Sequence, residues 1–273
     1  MKKAIHSKSI FKSNIATDMK IARECGFQYM EIVATKVASY LEQFTLNDLN
    51  NLLKDNSIIP AAINDIAHVE RTEPKEIERM LKEAEYFSSI AKAIGCPTIQ
   101  LVPLCALEGR PWEEILRITS DNIRKICDIG SKYGIRFQLE PVAWSPIHSL
   151  SQSLELIKLV DRDNLGMVID FWHLWSGGET VPEEVAKLDK SLIYNIHFCD
   201  GKKQAKDTVC DETILRGVYP GEGDIPLKEW IDAVKATGYD GVWACELVSA
   251  KHWECDVFDV ASTLSKKMDE YIL

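Results

Sequence analysis

Short apolar runs alternate with longer stretches of helical periodicity along the whole chain, and this alternation restricts the possible folds more than any other feature. The runs are rich in β-branched and aromatic residues, which is typical of buried strands. The predicted strands are 2–10, 27–33, 58–64, 98–104, 135–140, 165–170, 192–197 and 241–246. The predicted helices, which carry apolar residues at steps of three and four, are 18–26, 74–95, 112–134, 150–160, 181–189, 227–238 and 255–273.

Eight strands followed by helical or helix-like segments in 273 residues predict an α/β fold, a single (β/α)8 TIM barrel that spans 1–273 as one domain. A doubly wound open sheet is the alternative, but no G-x-G-x-x-G turn follows the first strand. In a barrel, the side chains at the C-terminal ends of the strands meet on one face, and active sites are built there.

The composition excludes several classes of partner. A formal net charge of −10 argues against nucleic acid, whose phosphates require basic patches. The eight cysteines form no C-x-x-C pair, so we expect free thiols in a reducing cytoplasm rather than a cysteine zinc site. No apolar stretch reaches the roughly 18 residues of a membrane span, and no signal peptide is recognisable. We therefore expect a cytoplasmic location without a membrane or nucleic-acid partner.

Four consecutive predicted strands end on a residue that can bind a metal ion: Glu140, Asp170, His197 and Glu246. Each alone is compatible with a structural role, such as capping the next helix. Three carboxylates brought together at one end of a barrel, however, repel one another unless a cation neutralises them. Oxygen-rich ligation with one imidazole suits Mn²⁺, Mg²⁺, Co²⁺ or Zn²⁺. The four residues therefore predict a site for one divalent ion.

Other residues near these strand ends are candidates for binding a substrate. His173 lies one helical turn after Asp170 and is placed to hold a substrate oxygen. Asn64 ends the predicted strand 58–64, and Trp172 offers a ring that could pack on a sugar, with ordinary core packing as the alternative. The long irregular segment 198–226 follows His197 and is expected to close the pocket.

Several motifs resemble the xylose isomerase-like superfamily of sugar isomerases and epimerases. They are LEPV, DFWH, IHFCD, YPGEGDIP and CEL, together with ARECGFQYMEI near the start. Within that superfamily, the chain most resembles the inosose (2-keto-myo-inositol) isomerase type. The resemblance implies a TIM barrel in which Glu140, Asp170, His197 and Glu246 bind one divalent metal ion. It also implies that Glu140 and Glu246 act as the catalytic acid and base.

Three positions depart from the patterns of related families. Endonuclease IV has a histidine where this chain has Thr213, and ketose 3-epimerases have a glutamate where it has Ser145. An arginine of the epimerases corresponds to Lys203, so the resemblance implies that Lys203 contacts the substrate and assists catalysis. Asp200 is expected either to orient His197 or to relay a proton.

The resemblance implies a divalent-metal-dependent isomerase or epimerase of a keto-sugar or keto-inositol, acting through an enediolate. The alternative is a metal-dependent lyase of the same superfamily, similar to inosose or dehydroshikimate dehydratases or to deglycosidases acting on 3-keto-glycosides. The expected partner is a small sugar or cyclitol, and a homo-oligomer is possible. A binding module without catalytic activity is disfavoured because it would not need four convergent ligands.

Overall fold

The described part of the chain forms a closed barrel of eight parallel strands in sequential order, which confirms the predicted TIM barrel. The structure is a computed structural model and describes residues 1–205 and 208–272. The first strand pairs with both the second and the eighth, which closes the barrel. The strands are β1 (Lys2–His6), β2 (Tyr29–Val33), β3 (Ile59–Ala67), β4 (Thr98–Val102), β5 (Arg136–Leu139), β6 (Leu165–Asp170), β7 (Ile193–Phe198) and β8 (Val242–Cys245).

Helices surround the barrel and cover its outer face, as the alternating pattern predicts. Among the described residues the α-helices are α1 (Ile15–Glu24), α2 (Ala34–Leu41), α3 (Leu46–Asp55), α4 (Pro74–Ile94), α5 (Trp112–Ser131), α6 (Leu150–Val160), α7 (Phe171–Gly177), α8 (Pro182–Val185), α9 (Glu212–Leu215), α10 (Leu227–Ala236) and α11 (Val257–Tyr271). Short 3-10 helices cover Ser7–Ile10, Lys190–Leu192 and His252–Glu254. Over the described residues, no helix is both long and apolar enough to cross a membrane.

Local sequence signals explain where several helices begin and end. Pro74 opens α4, where its missing N–H costs no hydrogen bond, and Gly95 ends that helix in the left-handed conformation at φ 69°. Ser149 and Gln152 form a reciprocal capping box at the start of α6. These signals set both ends of α4 and the start of α6.

The structure corrects the predicted elements near the ends of the chain and after β2. The first strand ends at His6 rather than at position 10, because the His6 side chain accepts the backbone N–H of Lys8 and turns the chain into a 3-10 helix. The sequence pattern did not separate α2 and α3 from a loop, although Thr45 caps α3. The last helix ends at Tyr271, and position 273 of the predicted helix lies outside the described residues.

Apolar side chains fill the space between the strands and the helices, but part of the barrel interior is polar. Gln100, Gln138 and Asn195 are buried side chains of β4, β5 and β7. Asn195 donates a hydrogen bond to Gln138, and Gln138 donates one to Gln100. This row of hydrogen bonds satisfies polar groups that would otherwise be costly to bury, and it leads toward the C-terminal end of the barrel.

Candidate metal centre

The strand register brings the four predicted ligands to one end of the barrel. Asp170, the last residue of β6, pairs directly with His197 in β7. Glu140 directly follows β5 and Glu246 directly follows β8, so both project from the same rim. Because parallel strands in a closed barrel all end on one face, four residues that are distant in sequence become neighbours.

The donor atoms of these four residues lie within contact distance of one another. His197 Nδ1 is 2.9 Å from Glu140 Oε1, 3.2 Å from Glu246 Oε2 and 3.3 Å from Asp170 Oδ2. One ligand atom from each of the four residues lies within 4.8 Å of the others. All four side chains are buried. We call these residues the four-donor cluster.

The cluster fits a divalent metal ion in both donor type and spacing. Donors held about 2.1 Å from one ion in tetrahedral or octahedral geometry lie about 3.0–3.4 Å apart. The separations of 2.9–3.3 Å around His197 Nδ1 match that range. Three buried carboxylates also need positive charge beside them. One imidazole with three carboxylates suits zinc and similar ions, so the sequence-based prediction of a single divalent ion agrees with the geometry.

Protonation and charge pairing in the cluster reflect this crowding of carboxylates. Burial raises the pKa of Glu140 to about 7, although its hydrogen bond with His197 acts in the opposite direction. Burial disfavours the charged form of His197, but Glu246 and Glu31 outweigh it and raise the pKa of His197 well above its usual range. Despite burial, Arg216 holds the pKa values of Asp170 and Glu246 below their usual ranges.

Arg216 enters the cluster from the segment between β7 and β8. Its Nη2 lies 2.9 Å from Asp170 Oδ2 and 2.6 Å from Glu246 Oε2, and its side chain is 1% exposed. Its guanidinium also lies over Trp172, with Cζ 5.3 Å from the ring centroid. The sequence analysis did not identify Arg216, because the irregular segment that carries it has no strand end or regular spacing to mark it. The need for a cation beside three buried carboxylates is the signal that could have found it.

His173 and Arg216 together present two N–H donors. His173 Nδ1 accepts the backbone N–H of Ala143 at 3.2 Å, so the ring proton is on Nε2. Burial lowers the pKa of His173 to about 3, which keeps the ring neutral. Arg216 Nη1 lies 3.2 Å from this Nε2. Neither N–H can accept from the other, so the pair is suited to a shared acceptor such as a substrate oxygen.

The two predicted acid/base residues differ in how their oxygens are held. Glu140 Oε1 contacts His197, and Glu140 Oε2 accepts a hydrogen bond from Gln100 Nε2 at 2.7 Å. Glu246 Oε2 faces Arg216, whereas Glu246 Oε1 is buried and has no hydrogen-bond partner among the described residues. Lys8 Nζ stands 3.7 Å from this Oε1. Glu246 therefore keeps one oxygen free for a proton. Lys8, which follows β1, was not recognised in the sequence.

Asp170 is both a donor in the four-donor cluster and the cap of the next helix, the two roles that the sequence analysis considered. Its Oδ1 accepts the backbone N–H of His173 at 2.7 Å and so caps α7. Its Oδ2 faces His197 and Arg216. The cap fixes the carboxylate plane, because both oxygens are held in place at once.

The other predicted substrate-binding residues occupy three different surroundings. Asn64 is 1% exposed, lines a cavity of about 290 Å³, and neither atom of its amide has a hydrogen-bond partner among the described residues. Trp172 is fully buried beneath Arg216. Lys203 lines a separate cavity of about 280 Å³ with Trp175, and its backbone N–H donates to Asp224. The structure does not place Lys203 among the contacts of the cluster.

Asp200 organises the loop and makes no hydrogen bond with His197, in contrast to the expected orienting role; its alternative role in a proton relay stays a prediction. Its Oδ2 accepts the backbone N–H groups of Gly221 and Gly223 at 2.8 and 2.9 Å. A Cβ at Gly223 would collide with the Asp200 carboxylate. The predicted loop 198–226 includes residues 206 and 207, which lie outside the described residues. Its described part reaches the cluster through Arg216.

A model of the xylose isomerase-like TIM barrel family matches residues 19–266. The chain belongs to this family. A relative, the inosose isomerase of Halalkalibacterium halodurans, is 26% identical over 92% of this chain and 89% of its own length. The inosose isomerase of Bacillus subtilis is also 26% identical, over 93% of this chain and 91% of its own length.

A solved structure with a similar fold supports the metal fit. The crystal structure described as IOLI protein with a binding zinc atom superimposes with a TM-score of 0.92 at 25% sequence identity. The match covers 100% of this chain and 98% of that chain. A zinc atom in a protein of this fold agrees with the donor set of the four-donor cluster.

Proposed function

We propose that the protein is a divalent-metal-dependent isomerase or epimerase of a keto-sugar or keto-inositol that acts through an enediolate. The observation that carries this proposal is the buried cluster of one imidazole and three carboxylates, with donor spacing that fits one ion. The inosose isomerase relatives, which align over nearly the whole chain, support a cyclitol or sugar as the small-molecule substrate.

The free oxygen of Glu246 makes this residue the better candidate for removing a proton from carbon. A bound divalent ion would polarise the substrate carbonyl and acidify the neighbouring C–H bond. Glu246 Oε1 makes no hydrogen bond among the described residues, so it can accept that proton without losing one, while Lys8 Nζ and His6 Nε2 stay 3.7 and 3.6 Å away. Glu140, on the other side of His197, is the candidate that returns the proton. Gln100 orients Glu140 for this role.

The remaining predicted residues, together with Arg216, bind and position the substrate in this proposal. His173 Nε2–H and Arg216 Nη1–H, 3.2 Å apart, hold one substrate oxygen between them. Asn64 offers a donor and an acceptor for hydroxyl groups, because both atoms of its buried amide lack partners in the described residues. Trp172 supports Arg216 from below. Lys203 contributes at the rim, where it assists substrate choice and any proton relay.

The proposal also covers the identity of the ion, the type of reaction, the location in the cell and the partners. Zn²⁺ and Mn²⁺ are the first ions to test, with Co²⁺ and Mg²⁺ next, because the donor set is oxygen-rich with one nitrogen. Epimerisation and isomerisation share the same proton removal and differ in where the proton returns. A cytoplasmic location fits the free cysteines. A homo-oligomer and the lack of a nucleic-acid or membrane partner remain predictions.

Proton exchange in D₂O tests the proposal directly. The metal-loaded protein is incubated with keto-inositols and with 3-keto sugars, and deuterium incorporation and products are followed by NMR. We expect exchange beside the carbonyl together with an isomerised or epimerised product, and neither with Glu246→Gln. Exchange followed by loss of water or of an aglycone would assign the lyase alternative. Absence of exchange with every substrate and ion would reject enediolate chemistry.

A further inference from the structure

A second group of buried polar side chains lies against the four-donor cluster and is not used in the proposed proton transfer. Glu31 in β2 places its Oε2 3.1 Å from His197 Nε2, on the opposite edge of the ring from the carboxylates. His6, the last residue of β1, places its Nε2 3.6 Å from Glu31 Oε2 and 3.6 Å from Glu246 Oε1. The side chains of His6, Glu31 and His197 are all fully buried.

These three residues have the side chains of a second cation site, but the hydrogen bonds of His6 oppose that function. His6 Nδ1 accepts the backbone N–H of Lys8 at 3.0 Å. A ring nitrogen that accepts a hydrogen bond carries no proton, so the proton of His6 is on Nε2. A protonated Nε2 has no lone pair to donate to a metal ion. His6 therefore presents an N–H to Glu31 and Glu246 rather than a ligand atom.

The same reasoning assigns the two nitrogens of His197. Its Nδ1 is the atom surrounded by Glu140, Asp170 and Glu246, so a lone pair on Nδ1 is required for an ion at the cluster. The ring proton is then on Nε2, where Glu31 Oε2 accepts it at 3.1 Å. A carboxylate that accepts the second N–H of a histidine ligand fixes the tautomer and the ring orientation, and it increases the basicity of the ligand atom.

We infer that Glu31 is a positioning residue, which acts through His197 to set the affinity and geometry of the metal centre, and that His6, Glu31 and His197 do not form a second cation site. The inference rests on the proposed function only for the presence of an ion at the four-donor cluster. His6 lies beside Glu31, with its Nε2–H 3.6 Å from the buried carboxylate and without a hydrogen bond among the described residues. This arrangement explains why a glutamate is buried inside the barrel, where an unpaired charge would be costly.

Two substitutions at Glu31 test the inference, with a buried glutamate elsewhere as the control. Glu31→Leu removes the acceptor at similar volume, and Glu31→Gln keeps a neutral oxygen that accepts more weakly. Glu70 is also buried but accepts the backbone N–H groups of Leu104 and Ala106, outside the cluster, so Glu70→Gln is the matched control. The metal-free proteins are titrated with Zn²⁺ against a competing chelator, and with Co²⁺, whose visible absorption bands report the ligand geometry.

We expect about 10- to 100-fold weaker Zn²⁺ binding in Glu31→Leu, which is the range for loss of such a partner. The Co²⁺ bands should shift, and the stoichiometry should stay at one ion per chain. Glu31→Gln should show a smaller loss of affinity and a smaller band shift in the same direction, and Glu70→Gln should match the wild type. These readouts do not require turnover, so they separate this inference from the proposed reaction.

Two results would overturn the inference. Two Zn²⁺ ions per wild-type chain, with one of them lost in Glu31→Leu, would make the second group a cation site. Wild-type affinity and wild-type Co²⁺ bands in both Glu31 variants would remove the positioning role. If Glu31→Leu does not fold, the test rests on Glu31→Gln. Wild-type Zn²⁺ affinity and wild-type Co²⁺ bands in Glu31→Gln would then reject the positioning role.

Discussion

Replacing Arg216 with methionine should destabilise the metal-free protein strongly and the metal-loaded protein much less. The guanidinium contacts Asp170 and Glu246 at 2.9 and 2.6 Å, and all three side chains are buried. Removing one partner of a buried ion pair typically costs about 3–5 kcal/mol, because the remaining charge is left without compensation. For a chain of this size, that corresponds to a decrease in melting temperature of about 6–10 °C. A bound divalent ion supplies the missing positive charge, so it should restore most of the loss.

Calorimetric melting temperatures with and without metal measure this difference. Arg162→Met is the matched control, because Arg162 pairs with Asp128 at 2.6 Å but the two side chains are 34% and 54% exposed. Exposed pairs contribute about 0–1 kcal/mol, so this variant should melt near the wild type in both conditions. By linkage, the metal ion should bind more tightly to Arg216→Met than to the wild type. Equal destabilisation of Arg216→Met with and without metal would refute the idea that the guanidinium and the ion neutralise the same carboxylates.

Further predictions concern catalysis, substrate binding and the loop. Glu140→Gln and Glu246→Gln should each lose about 10²–10⁴-fold in kcat at saturating metal. Recovery of the wild-type rate in excess Mn²⁺ would show that the two residues only bind the metal and do not transfer protons. Asn64→Ala and Lys203→Met should raise KM or change substrate preference at unchanged metal content, as steady-state assays with metal analysis can show. Gly223→Ala should lower the melting temperature, because its Cβ would collide with Asp200; an unchanged value would show that the loop has room.

The four-donor cluster could be predicted from the sequence because topology alone brings its members together. Each of Glu140, Asp170, His197 and Glu246 ends or directly follows a strand, or lies within a residue of its end. The closed barrel then places all strand ends on one face. No knowledge of side-chain packing was needed. The strand pattern therefore predicted both the fold and the four-donor cluster.

Residues whose roles depend on three-dimensional contacts could not be assigned in the same way. Arg216 lies in an irregular segment, where no periodicity shows which side chain turns inward. The sequence places Glu31 in an early strand, but no spacing predicts its contact with His197, which is 166 positions away. Asp200 follows a strand end and has the right chemistry to orient a histidine, yet its oxygens accept backbone N–H groups of the loop. Sequence spacing predicts which face a residue shares, whereas its hydrogen-bond partners depend on the folded loops.

Metal analysis of the wild type, Asp170→Ala and His197→Ala tests the shared metal centre most directly. The three proteins are purified without chelator, loaded with Zn²⁺ or Mn²⁺, and freed of excess metal before the bound ions are counted. We expect about one ion per wild-type chain and strongly reduced occupancy in both variants, because each loses one of the four donors that surround the ion. Near-full occupancy in both variants would contradict a single ion held by Glu140, Asp170, His197 and Glu246.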